Sequence, residues 1–175
     1  MRKLMKTLAG GFIAGALAVI VSSGTVLAAD VVINESNFPD KAFRMYVEEK
    51  IDKNADKKLS AEEIADATYI NVGQSDIASL KGIEYFSNLK FLECGNNKLT
   101  ELNLNSNTLL LEVMAHNNSL KTLSFDNSKM LEKVYAPDNQ LNSLSLENNI
   151  QLKSIDVSNN NLSTIDVSKN INLFT

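Results

Sequence analysis

The chain has very few of the residues that build disulfides, metal clusters or catalytic triads. Among its 175 residues there is one cysteine and one histidine, Cys94 and His116. A single cysteine excludes an intramolecular disulfide. With a single histidine, neither a histidine-rich metal cluster nor a triad can be assembled around it. The stability of the folded chain must therefore come from packing.

The chain also lacks an apolar segment long enough to span a membrane. Three basic residues near the N-terminus precede an apolar run at residues 8–21, and small residues lead to a cleavage site after Ala28 or Ala29. The run has 14 residues with three glycines, short of the ~20 that a spanning helix needs. This layout predicts a secretory signal peptide over residues 1–29. We therefore expect a secreted or cell-surface protein with no transmembrane segment after cleavage.

Positive charge is scarce once this leader is removed. The leader holds three of the 17 basic residues and none of the 21 acidic residues, which leaves a net charge near −7. Such a balance argues against nucleic acid or an anionic lipid surface as the main partner. Roughly 146 residues remain, enough for one domain with an apolar core.

What the chain does contain is a phrase that returns every 21 residues. It reads leucine, two residues, an aliphatic residue, one residue, a small residue, two residues and asparagine, and it begins at Leu89, Leu110, Leu131 and Leu152. A repeat of this length cannot bury its own apolar face, so the copies must stack into a solenoid. We assign residues 89–175 to four repeats and the start of a fifth at Leu173. Because no polar closing coil follows Leu173, we expect a longer protein.

A second phrase of the same kind is nested at an offset of ten residues. It begins at Leu99, Leu120, Leu141 and Leu162. Each coil should then contain two short strands on opposite sides, with the aliphatic residues of both pointing inward. Neighbouring coils would pair into two narrow parallel sheets around one apolar column.

Residues 68–88 read as a degenerate first repeat. Ile70 and Val72 precede Leu92 and Cys94 by 22 residues instead of 21. The apolar spacing after Leu80 predicts a helical or 3₁₀ turn on the convex side. This unit would join the regular repeats to the segment before them.

Residues 30–67 do not follow the repeat and predict a helix, a loop and a second helix. The first helix would begin at residues 37–40, with Pro39 at its first position. Phe38, Phe43 and Val47 are among the apolar residues at helical spacing behind it. Ser60 and Glu63 form the capping-box pattern that starts the second helix.

The loop between these helices has the spacing of an EF-hand. Its oxygen donors occupy loop positions 1, 3, 5, 7, 9 and 12, where the sequence has Asp52, Asn54, Asp56, the carbonyl of Lys58, Ser60 and Glu63. This is the donor pattern of a seven-coordinate Ca²⁺ site. Position 6, normally glycine, is Lys57, and a non-glycine residue in the left-handed region costs about 1 kcal/mol. Two interpretations stay open, a calcium site and a polar loop that keeps the shape without the ion.

The repeats resemble the leucine-rich-repeat family, in the nested 21-residue form found in secreted bacterial proteins, over residues 67–175. Residues 37–40 and 80–86 carry a second resemblance, to the helical N-terminal cap of internalins. The resemblance implies an α+β repeat fold. It would be a leucine-rich-repeat solenoid with short parallel strands on two faces, preceded by a small helix-loop-helix cap. It also implies a secreted or wall-associated recognition module.

The strands of the first phrase and those of the nested second phrase should form two faces of the solenoid, which we call the first and the second face. The outward positions of the first face are richer in aromatic residues and methionine than those of the second. We name as candidates for a protein or glycan contact Phe91, Glu93, Glu112, Met114, His116, Lys133 and Tyr135. We expect Phe91, Met114 and Tyr135 to lie on one diagonal across adjacent coils. Exposed aromatics and methionine often mark recognition surfaces, although isolated apolar residues on a surface are also ordinary.

The register places Cys94 and His116 on opposite sides of a strand. Cys94 aligns with Ala115 at an inward position, whereas His116 aligns with Gly95 at an outward position. The two side chains therefore cannot form a nucleophile and base pair. The columns of asparagine that end the phrases should face inward and satisfy backbone groups, as buried polar groups must.

Two functions follow from these patterns. The first is a secreted or cell-surface binding module that recognises a protein or glycan through the first face, without catalysis. The alternative is a positioning arm or spacer of a larger surface enzyme whose catalytic domain is absent from this chain.

Overall fold

The computed structural model describes residues 29–174, so the predicted signal peptide lies, apart from Ala29, outside the described residues. The elements in chain order are β1 Val31–Val32, α1 Lys41–Lys50, β2 Lys58–Leu59, α2 Ala61–Asp66, β3 Tyr69–Asn71, a 3₁₀ turn Ile83–Tyr85, β4 Phe91–Glu93, β5 Glu101–Asn103, β6 Glu112–Met114, β7 Thr122–Ser124, β8 Lys133–Tyr135 and β9 Ser154–Asp156. None of the helices in this described part is long and apolar enough to cross a membrane.

Helix α1 begins at Lys41, two residues later than the placement of Pro39 at the first helical position predicts. The Asp40 carboxylate accepts hydrogen bonds from the backbone N–H groups of Ala42 and Phe43, which makes Asp40 the N-cap. Pro39 therefore precedes the cap, and its placement at the first helical position was wrong. The side chain of an aspartate satisfies the free amides of a first turn, so the cap forms there.

Helix α2 begins with the predicted capping box. The Ser60 hydroxyl accepts from the N–H of Glu63, while the Glu63 carboxylate accepts from the N–H of Ser60. Just before it, β2 pairs antiparallel with β1, so the loop between the helices is tied to the start of the described chain.

The helical segment covers the first coil of the solenoid through polar and aromatic contacts. The second carboxylate oxygen of Asp40 accepts from the N–H of Ala78 at 2.8 Å. The hydroxyl of Tyr46 accepts from the N–H of Asn71 at 3.2 Å. The ring of Phe38 lies 5.7 Å from that of Tyr85, centroid to centroid. One continuous apolar core therefore runs from the helices into the repeats.

The main sheet contains one strand from every coil, in the parallel order β3, β4, β6, β8, β9. The register aligns the inward residues Ile70, Leu92, Val113, Val134 and Ile155 in one row. The first four are at most 2% exposed, and Ile155 is partly buried. This stacking confirms that residues at equivalent positions of the first phrase occupy equivalent positions in successive coils.

The second sheet is smaller than the repeat predicts. It consists of β5 and β7 only, and residues 143–145 and 164–166 form no strands. The backbone N–H of Asp126 donates to the Asn105 side chain at 2.7 Å, which ties these two coils together. The next two coils carry Glu147 and Ser168 at that position, and neither makes the equivalent cross-coil bond among the described residues. The expectation of two strands in every coil was therefore wrong.

Burial of the apolar column falls towards the C-terminal end of the described residues. Leu141 and Leu152 are fully buried, whereas Leu162 is only partly buried. Ile165 and Val167, which the pattern places inward, are 36% and 41% exposed.

The asparagines that end the first phrase form one column and join adjacent coils by hydrogen bonds, as their inward position predicts. Asn139 is representative, because its Nδ2 donates to the carbonyl of Ala115 in the preceding coil at 2.9 Å. Its Oδ1 accepts from the N–H of Leu120 at 3.0 Å. The second column acts similarly through Asn107, Asn149 and Asn170, whose Nδ2 atoms donate to buried carbonyls.

Candidate recognition surface

The outward side of the main sheet presents two straight rows of side chains. The first row contains Tyr69, Phe91, Glu112, Lys133 and Ser154. The second row contains Asn71, Glu93, Met114, Tyr135 and Asp156. Six of the seven predicted contact residues lie in these rows, and His116 follows two residues after Met114. We call this side of the sheet the first face.

The aromatic residues and methionine do not form the expected diagonal. Met114 pairs directly with Tyr135 in the second row, while Phe91 pairs with Glu112 in the first. The strands of adjacent coils pair without a shift in register, so residues 21 positions apart lie in the same row. Phe91 and Tyr135 are each 41% exposed, which leaves both available to a partner.

His116 is held against the sheet by its neighbours in both adjoining coils. Its ring centroid lies 5.3 Å from that of Tyr135, and its Nε2 lies 3.1 Å from the side-chain amide of Asn96. A Cβ at Gly95 would come within 2.2 Å of the imidazole ring. The ring therefore occupies the space that the missing side chain of Gly95 leaves, which the repeat alignment did not reveal.

The charged residues of the first face differ in how they are compensated. Lys133 Nζ lies 3.5 Å from the carboxylate of Glu112, so these opposite charges face each other. Glu93 has no such partner among residues 29–174. Its Oε2 accepts from the hydroxyl of Tyr69 at 3.2 Å and from Nδ2 of Asn71 at 2.9 Å. Tyr69 and Asn71 thus join the surface, although the sequence interpretation left them out.

Cys94 faces away from this surface and is fully buried, as its repeat position predicts. Burial, with a smaller contribution from the charge of Glu93, raises the pKa of the Cys94 thiol to about 12. A thiol with this pKa stays protonated at neutral pH, and only the thiolate is a good nucleophile. Cys94 is therefore a core residue.

The EF-hand-like loop is held in shape by its own backbone amides. One oxygen of the Asp52 carboxylate accepts from the N–H of Lys57, and the other from the N–H of Asp56. Glu63 accepts from the N–H of Lys53 at 2.8 Å. Lys57 has a φ of 63°, so the position normally filled by glycine does adopt the left-handed conformation.

Asp52 and Glu63 are both buried. Burial raises the pKa of Glu63, but the hydrogen bonds from Ser60 and Lys53 lower it more, so its pKa lies below the ordinary value. The donors match calcium in type. Within residues 29–174, however, no group of three or more histidine, cysteine, aspartate or glutamate side chains is arranged to hold a metal ion. The predicted donor set also includes oxygens of Asn54, Lys58 and Ser60, so calcium binding at this loop stays a prediction.

An open cavity of about 500 Å³ lies on the other side of the solenoid, beside β5 and β7. Its polar lining includes Lys81, Glu84, Glu101, Asn103 and Ser124. It adjoins the 3₁₀ turn of the degenerate coil, where the chain departs from the regular repeat. It contains no aromatic side chain.

Parallel strands stacked at this interval, joined by inward asparagines and preceded by a helical segment, define a leucine-rich-repeat solenoid. Comparison with known proteins agrees. The chain is 35% identical over 71 residues to internalin J of Listeria monocytogenes serotype 4b (strain F2365), a match that covers 41% of the chain and 8% of that protein. The chain thus matches less than a tenth of its curated relative. No protein-family model matches the chain.

Two solved structures extend the comparison. The crystal structure of the internalin InlF from Listeria monocytogenes has a TM-score of 0.52 at 20% identity, over 83% of this chain and 51% of that one. The functional domain of InlJ, described as including a cysteine ladder, has a TM-score of 0.38 at 20% identity, over 84% of this chain and 51% of that one. The chain therefore shares the solenoid fold of the internalin InlF structure.

Proposed function

We propose that this chain is a secreted or cell-surface recognition module that binds a protein partner through its first face, without catalysis. The observation that carries the proposal is the face itself. It combines exposed aromatic side chains, a methionine and charged residues on a rigid sheet. Aromatic residues and methionine are enriched in protein interfaces, and a rigid scaffold lowers the entropy lost on binding.

The absence of catalysis is supported by where the reactive residues lie. Cys94 is buried in the core with its pKa raised. His116 lies on the outer side of the sheet against Tyr135. The sheet separates the two side chains, so they cannot act as a nucleophile and a base on one substrate. The cavity beside β5 and β7 lies on the far side of the solenoid from both.

Export of the chain is supported by the leader pattern at residues 1–29 and by the likeness to internalin J. Secretion is tested by expressing the full sequence in a bacterial host and sequencing the N-terminus of the exported protein. We expect cleavage after Ala28 or Ala29. A product that stays inside the cell with an intact leader would contradict the proposal.

The binding proposal is tested with two matched double variants. A protein partner is first captured from a pool of extracellular proteins and purified. Its affinity for the chain is then measured by surface plasmon resonance. Met114→Ala with Tyr135→Ala removes side chains from the first face. Thr122→Ala with Ser124→Ala removes the same number from the second sheet. We expect the first pair to weaken binding by about tenfold or more, as loss of central interface residues does.

The control pair should leave the affinity within about twofold, and circular dichroism should show that all variants fold. Loss of binding only in the second-sheet pair would overturn the assignment of the face. Capture of a glycan in place of a protein would replace the partner class while keeping the surface. A chain that binds neither would instead act as a spacer.

A further inference from the structure

Glu93 has a carboxylate that is fixed in position but lacks a cationic partner among the described residues. Its Oε2 receives two hydrogen bonds, from Tyr69 and Asn71. Its Oε1 receives none from residues 29–174. The neighbouring position is Gly73, where even an added Cβ would stay 3.8 Å from Oε1. One oxygen of this carboxylate is thus held ready for a donor from outside the chain.

Two exposed aromatic side chains lie beside this carboxylate, in the neighbouring row of the same face. Tyr69 and Phe91 are paired in register on adjacent strands, and they are 55% and 41% exposed. Glu93 lies two residues after Phe91 on the same strand. Residues at this spacing point to the same side of a sheet, roughly 7 Å apart. The rings and the carboxylate therefore form one patch, consisting of Tyr69, Asn71, Phe91 and Glu93.

From this arrangement we infer that the patch is a contact site for an arginine side chain of the protein partner. The inference rests on the proposed function and names the chemistry that the first face recognises. A guanidinium is planar, so it can lie against an aromatic ring while its N–H groups donate to a carboxylate. Hydrogen bonds between charged groups are the stronger ones. Lysine, a compact and strongly hydrated charge, fits such a patch less well.

Charge complementarity distinguishes this patch from the other acidic positions of the first face. The charge of Glu112 is offset by Lys133. The carboxylate of Asp156 is turned towards Ser158, from whose N–H and hydroxyl it accepts at 2.9 and 2.7 Å. Asp156 is paired in register with one exposed aromatic residue, Tyr135, whereas Glu93 lies beside two, Tyr69 and Phe91. A sugar would use the rings and hydrogen bonds but would leave that charge without a counterion.

Tyr69 and Asn71 act as positioning residues, because they orient the carboxylate through Oε2. The hydroxyl of Tyr69 can be removed without removing its ring. Tyr69→Phe should therefore keep the aromatic contact and weaken the orientation of Glu93 only. Glu93→Gln removes the charge while keeping an oxygen that can accept from Tyr69 and Asn71.

The test uses blocked Gly-Arg-Gly peptide as the probe and the same peptide with citrulline as a neutral control. Peptide is titrated into ¹⁵N-labelled protein, and chemical-shift changes are followed by NMR. We expect the arginine peptide to shift the side-chain amide of Asn71 and the backbone amides of Phe91 and Glu93. Citrulline should shift them far less. Glu93→Gln should raise the Kd about fivefold, and Tyr69→Phe about twofold.

Asp156→Asn is the matched control, since it removes the same charge from the same row and should leave the Kd unchanged. Equal weakening by this variant would show non-specific attraction and overturn the inference. So would equal shifts with citrulline, or no shift at the patch. If the arginine peptide fails while partner binding still depends on Met114 and Tyr135, the inference fails and the proposed function stands. If partner binding ignores the first face altogether, the proposed function fails.

Discussion

Gly82 shows how the lack of one side chain fixes the junction between the helical segment and the repeats. Its backbone has a φ of 105°, and a Cβ there would lie 2.3 Å from the ring of Phe38. Phe38 is fully buried. The close approach of this backbone to the ring lets Phe38 pack beside the rings of Tyr85 and Phe86.

We predict that Gly82→Ala destabilises the protein by about 3 kcal/mol. Strain at the left-handed backbone and displacement of the Phe38 ring both contribute. Gly73→Ala is the matched control, since its Cβ would meet atoms no closer than 3.5 Å. It should cost less than about 1 kcal/mol. Urea unfolding of both variants measures the difference, and equal losses would contradict the account.

At the residue scale the sequence predicts which side chains point inward or outward. It does not predict which side chains of neighbouring coils contact each other. The candidates on the regular repeat were found because the 21-residue spacing gives their orientation. Tyr69 and Asn71 were missed because they lie on the degenerate coil, which is offset by one residue from that spacing. The contact of His116 with Gly95 was also missed, since it depends on the conformation of the imidazole side chain.

The helix-loop-helix illustrates at the element scale how a calcium-like loop can be held by hydrogen bonds. The carboxylates of Asp52 and Glu63 accept from the backbone amides of Lys57 and Lys53, in the middle and at the start of the loop. Lys57 carries the strain of the left-handed position and adds a positive charge beside the donors. Calcium binding has to compete with these amides, so any site should be weak.

For calcium we predict no change in Tm at micromolar concentration and a rise of a few degrees at about ten millimolar. Preferential binding to the native state gives a rise of this size when the ion exceeds its Kd about tenfold. Differential scanning calorimetry measures the shift. Asp52→Asn should abolish it, whereas Lys57→Gly should enlarge it. An unchanged Tm at every concentration would remove calcium from the description of this loop.

The capping box and the main-sheet strands could be predicted from residue patterns, because caps and inward positions depend on local chemistry. The second sheet could not be predicted in the same way. Periodicity reports which side chains face the core, whereas strand formation requires backbone pairing between coils. β5 and β7 are paired through their backbones, and the bond from the Asp126 N–H to the Asn105 side chain joins the same two coils. The repeat pattern encodes neither contact.

The whole molecule behaves as a column whose burial is uneven along its length. The same position of the second phrase is fully buried at Leu141 and partly buried at Leu162. In stacked repeats, stability is close to a sum of each repeat and its interfaces with neighbours. Equivalent substitutions in different coils should therefore have different costs.

We predict that Leu141→Ala lowers the free energy of unfolding by about 3 kcal/mol, as a large-to-small change in a packed core does. Leu162→Ala should cost about 1 kcal/mol, because folding removes less apolar surface of Leu162 from contact with water. Each variant serves as the other's control. Denaturant unfolding followed by circular dichroism measures both values. Similar losses at the two positions would show that the burial gradient has no energetic counterpart.

The aligned register has a consequence for how such a protein can change length. Residue 95 sits beside residue 116, and residue 116 beside residue 137. Excising one 21-residue period from the middle would therefore join two coils whose main-sheet strands keep the same register. Gly95 would then face Pro137 instead of an imidazole. The shortened chain would keep the solenoid fold. Its outward-facing side chains would change, and the partner that it binds would change with them.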